Sequence, residues 1–295
     1  MCLLDLLKSS EKQFHTVDLE SARREAEWLL AAVLNTDRTN LYLMRERRLQ
    51  ADEREKFDKF LSRRLEREPL QYILGVCEFY GFEFAVSPDV LIPRPETELL
   101  VEKVVELASN FSSPRIIDLG TGSGSIAVSL AKLMANVRLV ATDISTAALE
   151  MARSNAKRLG VVERIEFRLT DMTQPEAFSS SEPFDIVVSN PPYILETERA
   201  SLQPEIREWE PAAALYVGDD GLKFYRGIIN FCHGYLRAGG WVACEMASQR
   251  SLAIAGLFRE AGFHHVEIVK DLAGLERHLI GQRPQGKSLT ERSKL

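Results

Sequence analysis

The sequence predicts an α/β protein, a seven-stranded doubly wound sheet preceded by a small helical domain. Three observations carry that prediction. From Arg115 onward short apolar runs alternate with helical stretches, the pattern of a parallel sheet wound from βαβ units. The first of those runs opens into Gly120-Thr121-Gly122-Ser123-Gly124 ahead of a helix, and glycines there let a backbone approach a ligand closely. Residues 1–75 instead place apolar side chains at helical spacing. At 295 residues the chain is long enough for two domains.

In the helical domain, residues 1–75, Asp18 is expected to cap a helix carrying Ala22, Ala26, Leu29, Leu30 and Val33 on one stripe. Residues 52–68 repeat the spacing with Phe57, Phe60, Leu61 and Leu65 before Pro69 ends the helix. Both stripes read as core. Arg45, Arg47, Arg48, Arg63, Arg64 and Arg67 would suit an acidic partner, but they read first as a solvated helix face. Residues 76–95 read as a link. Phe79, Tyr80, Phe82 and Phe84 around Gly81 predict a β-hairpin. Ile92-Pro93-Arg94-Pro95-Glu96-Thr97-Glu98 predicts a rigid loop that fixes the direction of Arg94 before a helix over 99–108.

The sheet domain is expected over 96–282. Its strands fall at 115–118, 138–142, 165–169, 184–189, 241–245, 266–269 and 277–280. Helices fall at 125–134, 146–159, 222–236 and near 252–261, with a long loop over 194–220. The polar stretch 283–295 is expected to be a disordered tail.

Within this domain the fourth strand carries the sharpest chemistry. Ile186 to Val188 reads as a strand buried on both faces, which Pro191 and Pro192 then stop. Pro191 biases Asn190 away from helix, leaving a stiff turn at the carboxyl end of a central strand, where open α/β sheets bind ligands. The turn offers an amide side chain, carbonyls without competing N–H groups, and the Tyr193 ring. Such a set receives a flat, neutral group bearing N–H donors, although a plain strand-ending turn would look the same. Asp143 lies where an acid can accept from ribose hydroxyls, and Asp171 and Met172 lie where an adenine ring is bounded. A dinucleotide site uses similar logic, but the spacing here is G-x-G-x-G rather than G-x-G-x-x-G.

The composition excludes other classes. Hydrophobic content of 45% and charged content of 27% are ordinary for a soluble globular protein, and a net charge of −6 argues against wholesale neutralisation of a nucleic-acid backbone. Cys2, Cys77, Cys232 and Cys244 are scattered without a C-x-x-C pair, as expected of reduced thiols in a cytoplasmic protein. The opening Met1–Leu7 is too short and too early charged for a signal peptide, and no apolar run is long enough to span a membrane. His264 and His265, adjacent on an expected strand, would face opposite sides, so no metal site is expected.

Asp118-Leu119-Gly120-Thr121-Gly122-Ser123-Gly124 together with Asn190-Pro191-Pro192-Tyr193 resembles class I, Rossmann-like S-adenosylmethionine-dependent methyltransferases acting on a planar nitrogen. Leu91–Glu98, Glu68-Pro69-Leu70-Gln71-Tyr72 and the hairpin aromatics narrow the resemblance to the HemK/PrmC family, over nearly the whole chain. The resemblance implies N5 methylation of the glutamine in the Gly-Gly-Gln motif of class I peptide chain release factors, by a cytoplasmic monomer. It implies S-adenosylmethionine held by Gly120, Thr121, Gly122, Ser123, Gly124, Asp143, Asp171, Met172 and Asn190. It implies Asn190, Pro191 and Tyr193 as catalytic residues, with Pro192 and Arg94 joining them against the substrate. The chain departs from the family pattern at Ala212, where an arginine is common, at Ala247, where a glycine is usual, and in Leu275-Glu276-Arg277. Those departures bear on substrate docking.

A glutamine amide nitrogen is a poor nucleophile because its lone pair is delocalised into the carbonyl. The Asn190 oxygen and the Pro191 carbonyl can each accept one of its N–H groups, aim the nitrogen and stabilise charge that develops on it. Tyr193 can stack on the amide plane. Adenine also presents a planar amino group, so N6 methylation of DNA or RNA is the alternative, with the acidic charge balance against it. An adaptor with a vestigial cofactor site is disfavoured by the intact glycine turn, Asp143 and Asn190–Tyr193.

Overall fold

A computed structural model describes residues 1–180 and 182–285. The chain divides into two compact units, one comprising Met1–Val76 with Leu202–Trp209, the other the remainder from Cys77.

The first unit is helical: α1 (Leu3–His15), α2 (Ala22–Leu34), α3 (Arg38–Leu43), α4 (Ala51–Leu65) and α5 (Leu70–Leu74). Ala22, Ala26, Leu29, Leu30 and Val33 are buried, as a stripe at this spacing requires, and pack with Leu3, Phe14, Phe57 and Leu61. The cap differs from expectation. Asp18 has φ +54°, and Leu19 N–H reaches back to Phe14 O at 3.2 Å. Asp18 thus closes α1 in the left-handed position that asparagine and aspartate tolerate, and α2 begins after Ser21. The arginines differ too. Arg64 is buried and bonds Glu25 and Glu205; Arg67 bonds Glu205, Arg63 bonds Glu68 and Arg47 bonds Glu53. Of the six, Arg45 and Arg48 are exposed as a solvated face would have them. The others tie the unit together.

In the second unit the hairpin β1 (Val76–Phe79) and β2 (Phe82–Ala85) turns through Tyr80 and Gly81, both at positive φ. It is more than a link. Phe79 and Phe84 are buried in the core of this unit, edge to face at 6.0 Å. Next, α6 (Glu96–Ala108) starts one turn earlier than predicted, because Pro95 is already helical at φ −57°. Then follow β3 (Arg115–Leu119), α7 (Ser125–Leu133), β4 (Arg138–Asp143), α8 (Thr146–Arg158), β5 (Ile165–Leu169) and β6 (Phe184–Ser189).

The expected long loop is built from short elements instead: β7 (Ile194–Leu195), α9 (Pro204–Trp209), α10 (Ala212–Leu215) and β8 (Tyr216–Gly218), with β7 pairing β8. Within it, Leu202–Trp209 belongs to the helical unit, where Glu205 meets Arg64 and Arg67. The unit closes with α11 (Lys223–Tyr235), β9 (Leu236–Glu245), α12 (Ser251–Glu260), β10 (His264–Lys270) and β11 (Glu276–Gln282).

The seven-stranded sheet runs β10-β11-β9-β6-β3-β4-β5. It is parallel save for β11, which returns through the tight turn after Lys270 and inserts antiparallel between β10 and β9. Side chains alternate between two cores, Ile116, Ile186 and Val188 facing one, Ile117, Leu119 and Val187 the other. Every residue of β6 is buried. His265 has φ +48° and a bulge follows His264, so the simple alternation assumed for that pair does not hold; both are exposed. Of the expected tail, Arg283 is ordered, exchanging backbone hydrogen bonds with Gly239 and Gly240, and residues 286–295 lie outside the described residues. Among the described residues no helix is long and apolar enough to cross a membrane.

Candidate active site

The register of the sheet lines up the strand ends. Thr142 pairs Leu119, Leu119 pairs Ser189, and Ser189 pairs Cys244. The next residues along, Asp143, Gly120, Asn190 and Glu245, therefore stand in a row on β4, β3, β6 and β9, about 4.8 Å from strand to strand. Glu245 in turn pairs His278 of β11.

The β3–β4 half of the row holds the glycine turn. Gly120 and Thr121 N–H both donate to Thr142 O, at 2.9 and 2.8 Å, and the Thr121 hydroxyl donates to Asp118 at 2.7 Å. Gly120 has φ +77°, and a Cβ there would lie 2.8 Å from the Met172 methyl carbon. This contact brings two of the predicted cofactor residues together. Gly124 has φ +82°, and its Cβ would strike Ala152 of α8, so this glycine serves helix packing. Around Gly122, by contrast, the space a Cβ would take is open.

Asp143 accepts from Gly122 N–H and Ser145 N–H, each at 2.9 Å, through different oxygens. Burial holds its carboxyl above the ordinary range despite those bonds. Asp171 accepts from Thr173 N–H and its hydroxyl, which shapes the turn that carries Met172. Asn155 of α8 donates to Ser123 O at 2.9 Å and exchanges two bonds with Ala85, pinning the glycine turn to the hairpin.

The β6–β9 half holds Asn190-Pro191-Pro192-Tyr193. Both prolines are buried, and Asn190 and Tyr193 are half-buried. Asn190 Nδ2 donates to Thr97 Oγ1 at 3.2 Å, and the Thr97 hydroxyl donates to Glu245 Oε2 at 2.6 Å. Tyr193 OH donates to Glu245 Oε1 at 3.2 Å, and Tyr225 OH donates to the backbone carbonyl of Glu245. Glu245 is 2% exposed. Burial pushes its carboxyl up, and the two hydroxyls offset part of that. Tyr193 is likewise pushed up, by burial first and then by Glu245. His278, fully buried with Nε2 4.0 Å from Glu245, is pushed down to about 4 by burial and by Arg277, so it stands neutral beside the carboxylate.

Arg94, expected against a substrate, bonds Glu210. Burial holds Glu210 above its ordinary value, and Arg94 offsets only part of that. The Arg94 charge still acts on Tyr193. Ala212 is exposed at the start of α10 and Ala247 is buried past the end of β9. Thr97, Glu245 and Asn155 were not singled out from the sequence. Thr97 sits inside the proline motif and Glu245 ends an apolar strand, a position at which a buried acid is the one available signal.

The family described as "PrmC N-terminal domain" matches residues 5–75, and that described as "Methyltransferase small domain" matches residues 95–206. The chain is 39% identical to a "Release factor glutamine methyltransferase" of Koribacter versatilis, over 96% of this chain and 99% of that protein. It is 40% identical to the protein of that name from Geobacter sulfurreducens, over 90% of each, and 41% identical to that from Chlorobaculum tepidum, over 94% and 96%. In fold it is similar to the hMettl16 catalytic domain, solved with an RNA hairpin, with a TM-score of 0.53 at 18% identity over 70% of this chain and 77% of that one. An S-adenosylmethionine-dependent methyltransferase fold thus carries the row of strand ends, and the chain belongs to the release factor glutamine methyltransferase family.

Proposed function

We propose that this protein transfers a methyl group from S-adenosylmethionine to the side-chain amide nitrogen of the glutamine in the Gly-Gly-Gln motif of class I peptide chain release factors. The observation that carries the reading is the adjacency of Asn190 and Gly120 at neighbouring strand ends. It sets an amide receptor beside a glycine turn, in a chain whose relatives are named for glutamine methylation.

The turn fits the cofactor. The space around Gly122 is open, and Asp143 keeps lone pairs for ribose hydroxyls after taking Gly122 N–H. Met172 over Gly120 supplies an apolar edge for a base. When bound, S-adenosylmethionine supplies an electrophilic methyl on a sulfonium. On the acceptor side, the Asn190 oxygen and the Pro191 carbonyl take the two N–H groups of the glutamine. Holding both N–H groups fixes the amide plane, so that the face carrying the nitrogen lone pair is presented to the methyl group. Positive charge that gathers on the nitrogen meets two carbonyl dipoles, whose orientation the turn fixes in advance. The surplus N–H proton then passes to water, leaving the neutral N-methyl amide. Tyr193 lies against the amide plane, and Arg94 is held by Glu210 for the flanking chain. Glycines beside the glutamine let that backbone enter a narrow cleft. The helical unit serves as a second contact for a large protein substrate.

A transfer assay with tritiated S-adenosylmethionine, offering release factor, DNA and ribosomal RNA side by side, tests the reading. Label in the release factor alone is expected. Label in nucleic acid and none in the factor would replace this reading with adenine methylation.

A further inference from the structure

We propose that Thr97 and Glu245 are positioning residues that decide which end of the Asn190 carboxamide faces the substrate. The proposal rests on the reading of Asn190 as the acceptor for a substrate amide. The two ends of a carboxamide are nearly the same size, so shape alone does not choose between them. In one orientation Asn190 offers an oxygen to the substrate N–H groups. In the other it opposes them with its own NH2, donor against donor.

The hydrogen-bond chain behind Asn190 has a direction. An ionised carboxylate only accepts, and a hydroxyl has a single proton to give. With Glu245 ionised, the Thr97 hydroxyl, 2.6 Å from Oε2, gives its proton to the carboxylate, and toward Asn190 it then accepts. Asn190 must therefore turn Nδ2 inward, as it does at 3.2 Å, which sends Oδ1 to the other side. The same carboxylate takes the Tyr193 hydroxyl on Oε1, so one buried group orients two residues of the turn.

The surroundings of Glu245 suit this role. His278 on the neighbouring strand is 4.0 Å away and neutral, so it does not pair the charge as an arginine would. Arg277 and Glu96 act on Glu245 through space with opposite signs, and Tyr193 and Thr97 complete the groups that face it. The carboxylate is satisfied by hydroxyl donors, and its need for them gives the chain its polarity.

The test measures kcat and KM on a glutamine peptide, with S-adenosylmethionine affinity by calorimetry, for Thr97→Val, Thr97→Ser, Glu245→Gln and Asn190→Ala. Thr97→Val removes the inward acceptor and should lower kcat by about 10- to 100-fold, a loss typical of an orienting partner, with cofactor affinity unchanged. Thr97→Ser keeps the hydroxyl and should restore most of the rate. Glu245→Gln presents a donor as well as an acceptor, so the chain loses its direction and kcat falls with KM little changed. Should Thr97→Val fail to fold, this last variant decides. Wild-type kcat in Thr97→Val or Glu245→Gln, with Asn190→Ala inactive, would overturn the positioning role and leave the acceptor reading standing. Equal loss in Thr97→Ser and Thr97→Val would also overturn it, since packing would then be the cause. Near-wild-type activity in Asn190→Ala would instead remove the acceptor reading itself.

Discussion

Glu205 and Glu245 are both carboxylates taken largely out of water, one in each unit, and their partners are opposite in kind. Glu205 is met by two guanidinium groups, Arg64 at 2.9 Å and Arg67 at 2.6 Å. Glu245 is met by two hydroxyls and a neutral imidazole. Burial pushes Glu205 up, but Arg67 and Arg64 more than offset it and hold the carboxyl below its ordinary value. For Glu245 burial prevails. A compensated charge fastens chain segments that are far apart in sequence, here Arg64 and Arg67 to the segment 202–209. One met by hydroxyls, with Arg277 acting only through space, keeps a desolvation cost and orients its polar neighbours.

The largest expected effect is on chemistry. Asn190→Ala should lower the transfer rate by about 100- to 1,000-fold, the range for losing one preorganised polar partner of a transition state. Single-turnover transfer at saturating cofactor measures it. Cofactor affinity near that of the wild type would show that binding and chemistry separate along the row of strand ends.

Next comes the contrast between the two carboxylates. Glu205→Ala leaves buried Arg64 short of a partner and should destabilise the protein by about 3 kcal/mol. Glu245→Gln removes a carboxyl that burial holds above its ordinary value and should leave the melting temperature at neutral pH unchanged or higher. The pH dependences run in opposite senses. The Glu205 contribution is present above the ordinary glutamate value of 4.5 and is lost as pH falls through its lowered folded value. The Glu245 contribution is a cost that grows as pH rises from 4.5 through its raised folded value. Melting curves of the two variants against wild type between acid and neutral pH read both signs, and equal shifts would dissolve the comparison.

A smaller effect is expected on the cofactor side, where Asp143→Ala should weaken S-adenosylmethionine by about 1–3 kcal/mol in calorimetry. Gly122 N–H loses its acceptor at the same time, so the turn loosens as the ribose partner goes. Tyr193→Phe should be smaller still, about 0.5–1.5 kcal/mol in transfer. It keeps the ring but gives up the bond to Glu245, a role beyond stacking. A silent Tyr193→Phe beside a damaged Tyr193→Ala would return the residue to stacking alone.

The parts of this molecule that were legible in the sequence are the contiguous ones. The glycine turn, Asn190–Tyr193 and the stripe of α2 announce themselves within a few residues, and all seven strands show as apolar runs between turn signals. What escaped was made by chain closure. Thr97 reaches Asn190 across 93 positions and Glu245 reaches Tyr193 across 52, through the packing of α6 on the sheet and the register of β6 with β9, which no local pattern encodes. The arginines of the helical unit misled for the same reason, since Glu205 arrives from 138 positions away. Asp18 misled locally, because an aspartate before a helical stripe can start the next helix or finish the last one.

The central claim is that the row of strand ends receives a glutamine carboxamide. Fragment-ion mass spectrometry of a class I release factor, after incubation with this protein and S-adenosylmethionine, tests it most directly. One added methyl group on the side-chain nitrogen of the Gly-Gly-Gln glutamine is expected, strongly reduced with Asn190→Ala. A methyl group on any other residue, or an unmodified glutamine in a reaction that consumes cofactor, would contradict it.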